Sequence, residues 1–264
     1  MPSGVGHVLA LVAAGVGAGV IGTVAGLASL VSYPALLATG LAPVAANVTN
    51  TVALIGNTVG SIAGSRPELA GQRTRIRELT PLMVLGGLVG AVLILTTPSG
   101  SFPKVVPFLI ALSAVLVLLR PRIQAALDRR RRAALGEHHR PDPSAPTGWR
   151  ARLGMFAVGI YGGYFGAGAG VMVLALLSLA TSDRLIRVNA VKNLLLGVAN
   201  GIAAVAFALF GPVEWSAVVP LALGCLAGGY AGPAIARVIP PTALRLLIGL
   251  AGLYLAVDLG LDAY

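Results

Sequence analysis

The stretch "RVNAVKNLLLGVAN", residues 187–200, sets Lys192 deep in an apolar run, with Asn189, Asn193 and Asn200 around it. The chain has one other lysine, Lys104. An isolated ammonium near a bilayer centre costs at least ~2.5–3.5 kcal/mol on insertion scales, so it has a partner or a task. At 1.5 Å per residue, Lys192 lies ~9 Å inside its apolar block. Two readings follow from that depth: the side chain snorkels to the interface, or it meets an anion brought in from outside. Pairing with a resident carboxylate is harder to support, because the acids of the apolar blocks, Glu214 and Asp258, stand near block ends.

The rest of the chain supplies the membrane this argument needs. Of 264 residues, 56% are hydrophobic and 11% charged, with a mean hydropathy of +0.88; soluble domains carry about 25% charged residues. Apolar blocks at 5–38, 42–64, 79–97, 104–119, 153–180, 186–210, 216–236 and 242–259 approach or exceed the ~20 residues a crossing helix requires. The composition predicts an all-α, polytopic integral membrane protein. Abundant glycine, 35 residues, fits close helix approach.

The net charge of +10 does not point to nucleic acid. Nearly half of the basic residues fall between Arg120 and Arg152, including "RRRR" at 129–132, as expected of a cytoplasmic loop under the positive-inside rule. This Pro-rich segment, 120–152, divides the chain into a first membrane repeat, 1–119, and a second, 153–264.

The halves resemble each other. Each opens on a Gly-rich block, "GVGAGVIGTVAGLASLVSYPALL" (15–37) and "GIYGGYFGAGAGVMVLALLSLA" (159–180), followed by a polar-spotted helix, "NVTNTVALIGNTVGSIAG" (47–64) and "NAVKNLLLGVANGIAA" (189–204). Placing Asn47 on Asn189 sets Asn50 on Lys192, Thr51 on Asn193 and Thr58 on Asn200. These offsets keep the side chains within about 100° of one another on a helix. Each half therefore predicts one polar stripe.

The opening blocks allow two shapes: a single tilted helix, or two half-helices meeting at a re-entrant turn, permitted where protein buries the broken backbone. Charge favours the second. With two such hairpins and six crossings, Arg66, Arg73, Arg75, Arg77, Arg184, Arg187, Arg237, Arg245 and the 120–152 cluster all fall inside, leaving Lys104 outside. Each repeat then has an odd number of crossings, and the repeats are inverted, each a Gly-rich broken or re-entrant helix followed by three membrane helices.

Lys192 supplies charge and Asn189, Asn193 and Asn200 supply donors, a combination suited to a small oxyanion. Asn47, Asn50, Thr51, Asn57 and Thr58 form the matching patch of the first half; interhelical hydrogen bonding is their alternative reading. Ser29, Ser32, Tyr33 and Pro34, with Tyr161, Gly166, Gly168 and Gly170, are candidates to line the same cavity. Half-helix N-termini would add backbone donors.

Other chemistries find no support. The "GVGAGVIG" and "GYFGAGAG" runs lack a βαβ context and a following acid. His7, His138 and His139 have no metal-site spacing, and no catalytic triad, HExxH or Walker run occurs. No enzyme activity, cofactor or metal is expected. The lone Cys225 reads as a packing residue, and the N-terminus carries no charged leader.

The two openings, "GLASLVSYPALLATGL" and "GGYFGAGAGVMVLALLSL", each followed by an Asn-bearing helix, "AANVTNTVAL" and "RVNAVKNLLLGVANG", resemble the TauE/SafE-type sulfite exporters, a family of anion permeases. The likeness covers nearly the whole chain apart from the linker. The family opening is G-x-G-G-G, then apolar residues and a proline. The first copy here keeps Pro34 and loses most glycines; the second keeps Gly166, Gly168 and Gly170 and has Ala175 at the proline position. The resemblance implies a multi-pass plasma-membrane transporter of small sulfur-containing anions such as sulfite or sulfonates. It would be driven by an ion gradient, with a proton or sodium as coupling ion and the lipid bilayer as its surroundings. A passive anion channel and a non-transporting scaffold, with Lys192 on backbone carbonyls or lipid headgroups, are the competing expectations; the oligomeric state has no signal.

Overall fold

The computed structural model describes residues 4–98, 100–135, 147–181, 183–235 and 241–263, and every regular element among them is a helix. The first half contributes α1 (Val5–Ala25), α2 (Ser29–Leu37), α3 (Pro43–Gly64), the single turn α4 (Arg66–Leu69), α5 (Arg73–Thr96) and α6 (Phe102–Leu135). The second contributes α7 (Trp149–Tyr164), α8 (Ala169–Ala180), α9 (Leu185–Phe210), α10 (Trp215–Ile235) and α11 (Pro241–Ala263).

Among the described residues, five helices are long and apolar enough to cross a membrane: α1, α5, the 102–119 part of α6, α9 and α10. Outward-facing Leu88, Val92, Phe108, Leu209, Phe210 and Leu223 give these helices an apolar exterior that water would not support. The chain is a membrane-embedded helical protein. At 22 residues, α3 is as long as the five, but its Asn and Thr stripe lowers its hydropathy.

Both Gly-rich blocks break. The left-handed Gly26 (φ 77°) ends α1, whose final turn closes with Gly26 N–H on Gly22 O, and α2 resumes at Ser29. In the second block α7 ends at Tyr164, and the left-handed Gly168 (φ 75°) starts α8. A side chain at either glycine would meet left-handed strain. The arms are unequal, 21 and 9 residues in one block and 16 and 12 in the other. At ~32 Å, α1 is itself long enough to cross, unlike the short half-helix of the sequence-based expectation.

The linker itself is partly helical. The expectation for 120–152 placed it outside the bilayer core without assigning its secondary structure; its first part continues α6 to Leu135, across Pro121. At Trp149, α7 already begins. Residues 136–146, with His138 and His139, lie outside the described residues, as does Arg237.

Helix packing is reciprocal between the halves. The opening helix α1 lies mainly along α10, and its counterpart α7 along α5; α3 also packs on α10, and α9 on α5. Glycines four residues apart make these approaches possible. An ideal Cβ on Gly228 of α10 would fall 2.1 Å from Val16 O of α1, and one on Gly90 of α5 would fall 2.1 Å from Ile160 O of α7. Small residues at such spacing let membrane helices touch backbone to backbone, where lipid offers no hydrophobic drive for association. Two further extensive contacts, α6 with α11 and α3 with α9, join like elements of the two halves.

Candidate anion site at the crossing of two broken helices

The two breaks touch. A Cβ on Gly26 would lie 2.6 Å from Gly170 Cα, and one on Gly170 would lie 2.4 Å from Gly26 Cα. Only glycine on both strands allows that crossing, and it brings the N-terminal ends of α2 and α8 together inside the molecule.

A cavity of about 40 Å³ opens beside the crossing. Gly22, Gly26, Ala28 and Ser29 come from the first break, Phe165 and Gly166 from the second. Thr51, Leu54, Asn57, Thr58 and Ser61 come from α3, and Asn193, Leu196, Gly197 and Asn200 from α9. The polar stripes of α3 and α9 thus face one space, as the i, i+3, i+4 rhythm predicts. No described carboxylate lines it. Ser61 extends the α3 stripe by one turn and was within reach of that rhythm. Phe165, Leu196 and Gly197 carry no polar signal in the sequence.

Several expected residues stand behind the wall instead of lining it. Lys192 is completely buried, and its Nζ lies 3.4 Å from Thr23 O; the snorkelling reading therefore fails. Asn189 Nδ2 donates to the same carbonyl at 2.9 Å and Asn193 Nδ2 at 3.4 Å. Thr23 belongs to the last turn of α1, where the break removes the N–H donor a continuing helix would supply. One ammonium and two amides finish that helix end, and the charge complements its dipole. Asn193 both lines the cavity and caps the carbonyl, and Thr23 Oγ1 donates to Asn57 Oδ1 at 3.1 Å. Lys192 is thereby connected to the cavity through single intermediaries.

The first half mirrors this. Asn47, the sequence counterpart of Asn189, donates from Nδ2 to Tyr164 O at 2.9 Å, and Tyr164 ends α7. Asn50, the counterpart of Lys192, turns instead to α2: its Nδ2 donates to Ser29 Oγ at 3.1 Å, and Ser32 Oγ donates to its Oδ1. Tyr33 is buried edge-on against Phe165, ring centroids 5.5 Å apart. Tyr161 OH donates to Ala167 O at 2.6 Å, bracing the second break. Ser32, Tyr33, Pro34, Tyr161, Gly168 and Gly170 shape the breaks without lining the cavity.

The two ends of the helix assembly differ. At one, Asp183 between α8 and α9 receives Arg75 at 2.9 Å, Gln72 at 2.9 Å and Thr181 Oγ1 at 2.9 Å, with Arg187 at 3.5 Å. Arg187 also reaches the carbonyls of Glu68 and Ala70. Burial pushes the Asp183 carboxyl up, but the bonds from Gln72, Thr181 and Arg75 and the Arg75 charge outweigh it, so its pKa lies below the usual carboxylate value. Sequence reading used these arginines only to orient the chain and missed the network. The other region holds a hollow of about 340 Å³ among Val5, His7, Val8, Leu11, Thr39, Leu41, Glu214, Ser216 and neighbours.

An all-helical membrane protein with paired helix breaks around a carboxylate-free polar cavity has the build of a solute permease. Comparison with known families is direct: the model of the sulfite exporter TauE/SafE family matches residues 11–259, and the chain belongs to that family. It is therefore a membrane transporter by family. Neither the curated proteins nor the solved structures contain a match.

Proposed function

We propose that the chain is a secondary transporter of small oxyanions, sulfite or organosulfonates such as sulfoacetate, across the plasma membrane. The observation that carries this reading is the cavity at the Gly26–Gly170 crossing, ringed by Asn, Thr and Ser, free of described carboxylates and backed by Lys192. Hydroxyl and amide donors orient an anion's oxygens, α2 begins at the cavity wall with its positive dipole end, and the Lys192 charge offsets the anion's desolvation. Thr51, Asn57, Thr58, Asn193 and Asn200 are the contact residues in this reading. Asn47, Asn50, Asn189 and Lys192 fix the breaks and set the field.

The reciprocal packing and the matched Asn47 and Asn189 bonds support two inverted repeats, 1–119 and 153–264, that rock against each other for alternating access, driven by an ion gradient. With 120–152 cytoplasmic, the Asp183 network closes the cytoplasmic end and the Glu214 hollow belongs to the outer one. The contact of Lys192 with Thr23 O favours one competing reading, a scaffold in which the lysine is purely structural.

Reconstituted vesicles separate the two. Wild-type protein accumulates radiolabelled sulfite saturably under an imposed cation gradient, and Lys192→Gln stays folded in the membrane but loses uptake. Unchanged affinity and flux in Lys192→Gln would remove Lys192 from the function. Flux that follows only voltage and the anion gradient would make the protein a channel.

A further inference from the structure

The matched helix ends differ in one respect that bears on the coupling ion. At the end of α1, Thr23 O takes amide donors from Asn189 and Asn193 and the ammonium of Lys192. At the end of α7, Tyr164 O takes the amide of Asn47, and the position matching Lys192 is Asn50, which is spent on Ser29 and Ser32. The break there also shifts hydrogen bonding, since Gly166 N–H goes to Tyr161 O in place of Gly162 O. The last turn of α7 therefore presents carbonyls whose usual helical donors are diverted, at the negative end of a buried helix dipole. Beside them Asn47, itself fully buried, holds its Oδ1 without a hydrogen-bond partner; Asn189 Oδ1 at the end of α1 is likewise without one, but there the Lys192 ammonium shares the carbonyl that Asn189 caps. A buried acceptor left in that condition is costly, and a bound cation relieves the cost.

We propose that this end of α7 binds a monovalent alkali cation of sodium size, held by Asn47 Oδ1 and last-turn carbonyls of α7. The cation takes the place that the Lys192 ammonium takes at the end of α1. The ligand chemistry selects the ion. Amide and carbonyl oxygens hold no proton near neutral pH, which excludes proton binding at this site. They are hard and uncharged, so they suit one positive charge, whereas calcium sites recruit carboxylates, and the described carboxylates lie elsewhere. Thr51, one turn along α3 from Asn47, and Phe165, next after Tyr164, both line the anion cavity. A cation here lies one turn from the anion and favours its entry by direct attraction. This inference rests on the transport reading for its role as coupling ion, but the site itself does not.

The test therefore measures cation binding without anion or flux. Purified wild-type protein in choline buffer, titrated with radiolabelled sodium, binds it saturably, and sodium raises the melting temperature where choline and magnesium do not. Asn47→Ala loses both effects. Asn50→Lys, which installs an ammonium at the position matching Lys192 at the expense of the bonds to Ser29 and Ser32, no longer binds sodium where it folds. Absence of saturable sodium binding in the wild type would overturn the site, with water satisfying Asn47 Oδ1 instead. So would sodium binding that survives Asn47→Ala or a folded Asn50→Lys. Anion-induced thermal stabilisation in choline is scored separately: sodium binding without it would sink the anion reading and leave the cation site standing, and the reverse result would do the opposite.

Discussion

The end of α1 and the end of α7 are built alike and finished differently. Both stop at a break beside a left-handed glycine, and both give a last-turn carbonyl to an asparagine from the polar helix of the other half. In the second half the following turn supplies Lys192 to that carbonyl; in the first it supplies Asn50 to α2. The common part, glycine crossing and asparagine cap, is what any such fold needs to bury a broken backbone in lipid. The divergent part is a charge. The two helix ends thus share their mechanical parts, and only the end of α1 adds a buried ammonium, Lys192, behind the cavity.

The largest effect is expected where the two breaks touch, because no side chain can move aside there. Gly170→Ala puts a Cβ 2.4 Å from Gly26 Cα, and Gly26→Ala puts one 2.6 Å from Gly170 Cα with left-handed strain added. Overpacking of this kind costs about 1–3 kcal/mol or more, and the left-handed conformation adds about 1–2 kcal/mol for a non-glycine residue. Both variants should lose monodisperse protein in detergent size-exclusion chromatography, Gly26→Ala the more severely. A well-behaved Gly26→Ala with an unchanged melting temperature would mean that the breaks do not cross.

How much of this could be read beforehand follows from what kind of force fixed each feature. Apolar blocks and the stripe rhythm depend on local periodicity, so the helices, both breaks and the pairing of Asn47 with Asn189 were legible. The extension of α6 to Leu135 was not, because charge and Pro121 mark where the apolar block ends and carry no signal for how far its helix continues. The direction in which Lys192 points was also hidden. Its target, Thr23 O, is a backbone atom 169 residues away and gives no sequence signal. The Asp183 network belongs to the same class: Arg75 and Asp183 are ordinary residues until the fold places loops of both halves together.

That network is the next largest lever. Arg75 and Asp183 are 6% and 8% exposed; removing one partner of a buried pair outright costs about 3–5 kcal/mol, and Asp183→Asn, which keeps a carbonyl oxygen for its hydrogen bonds, costs less. Asp183→Asn should lower the melting temperature and increase labelling of a cysteine introduced at Gln72. Because the folded pKa of Asp183 is depressed, its contribution is complete above the ordinary carboxylate value and fades as pH falls through the lowered one. Wild-type protein should therefore approach Asp183→Asn in stability on acidification, and the two should stay apart at neutral pH. Equal stabilities at neutral pH would show that the network closes nothing.

The smallest and most discriminating effect compares the two caps. Asn47→Ala removes the amide that Tyr164 O accepts, whereas Asn189→Ala leaves Thr23 O with Asn193 and Lys192. Interhelical bonds in membranes average ~0.6 kcal/mol, and an acceptor stripped of its donor costs about 1–3 kcal/mol. Measured in choline to keep alkali cations out, Asn47→Ala should lower stability by about 1–2 kcal/mol and Asn189→Ala by about 0.5 kcal/mol. The order matters more than the size. If Asn189→Ala proved the costlier, Lys192 would not be supporting the end of α1. Its charge would then be free to act inside the cavity, and the asymmetry between the halves would be one of substrate contact instead of helix termination.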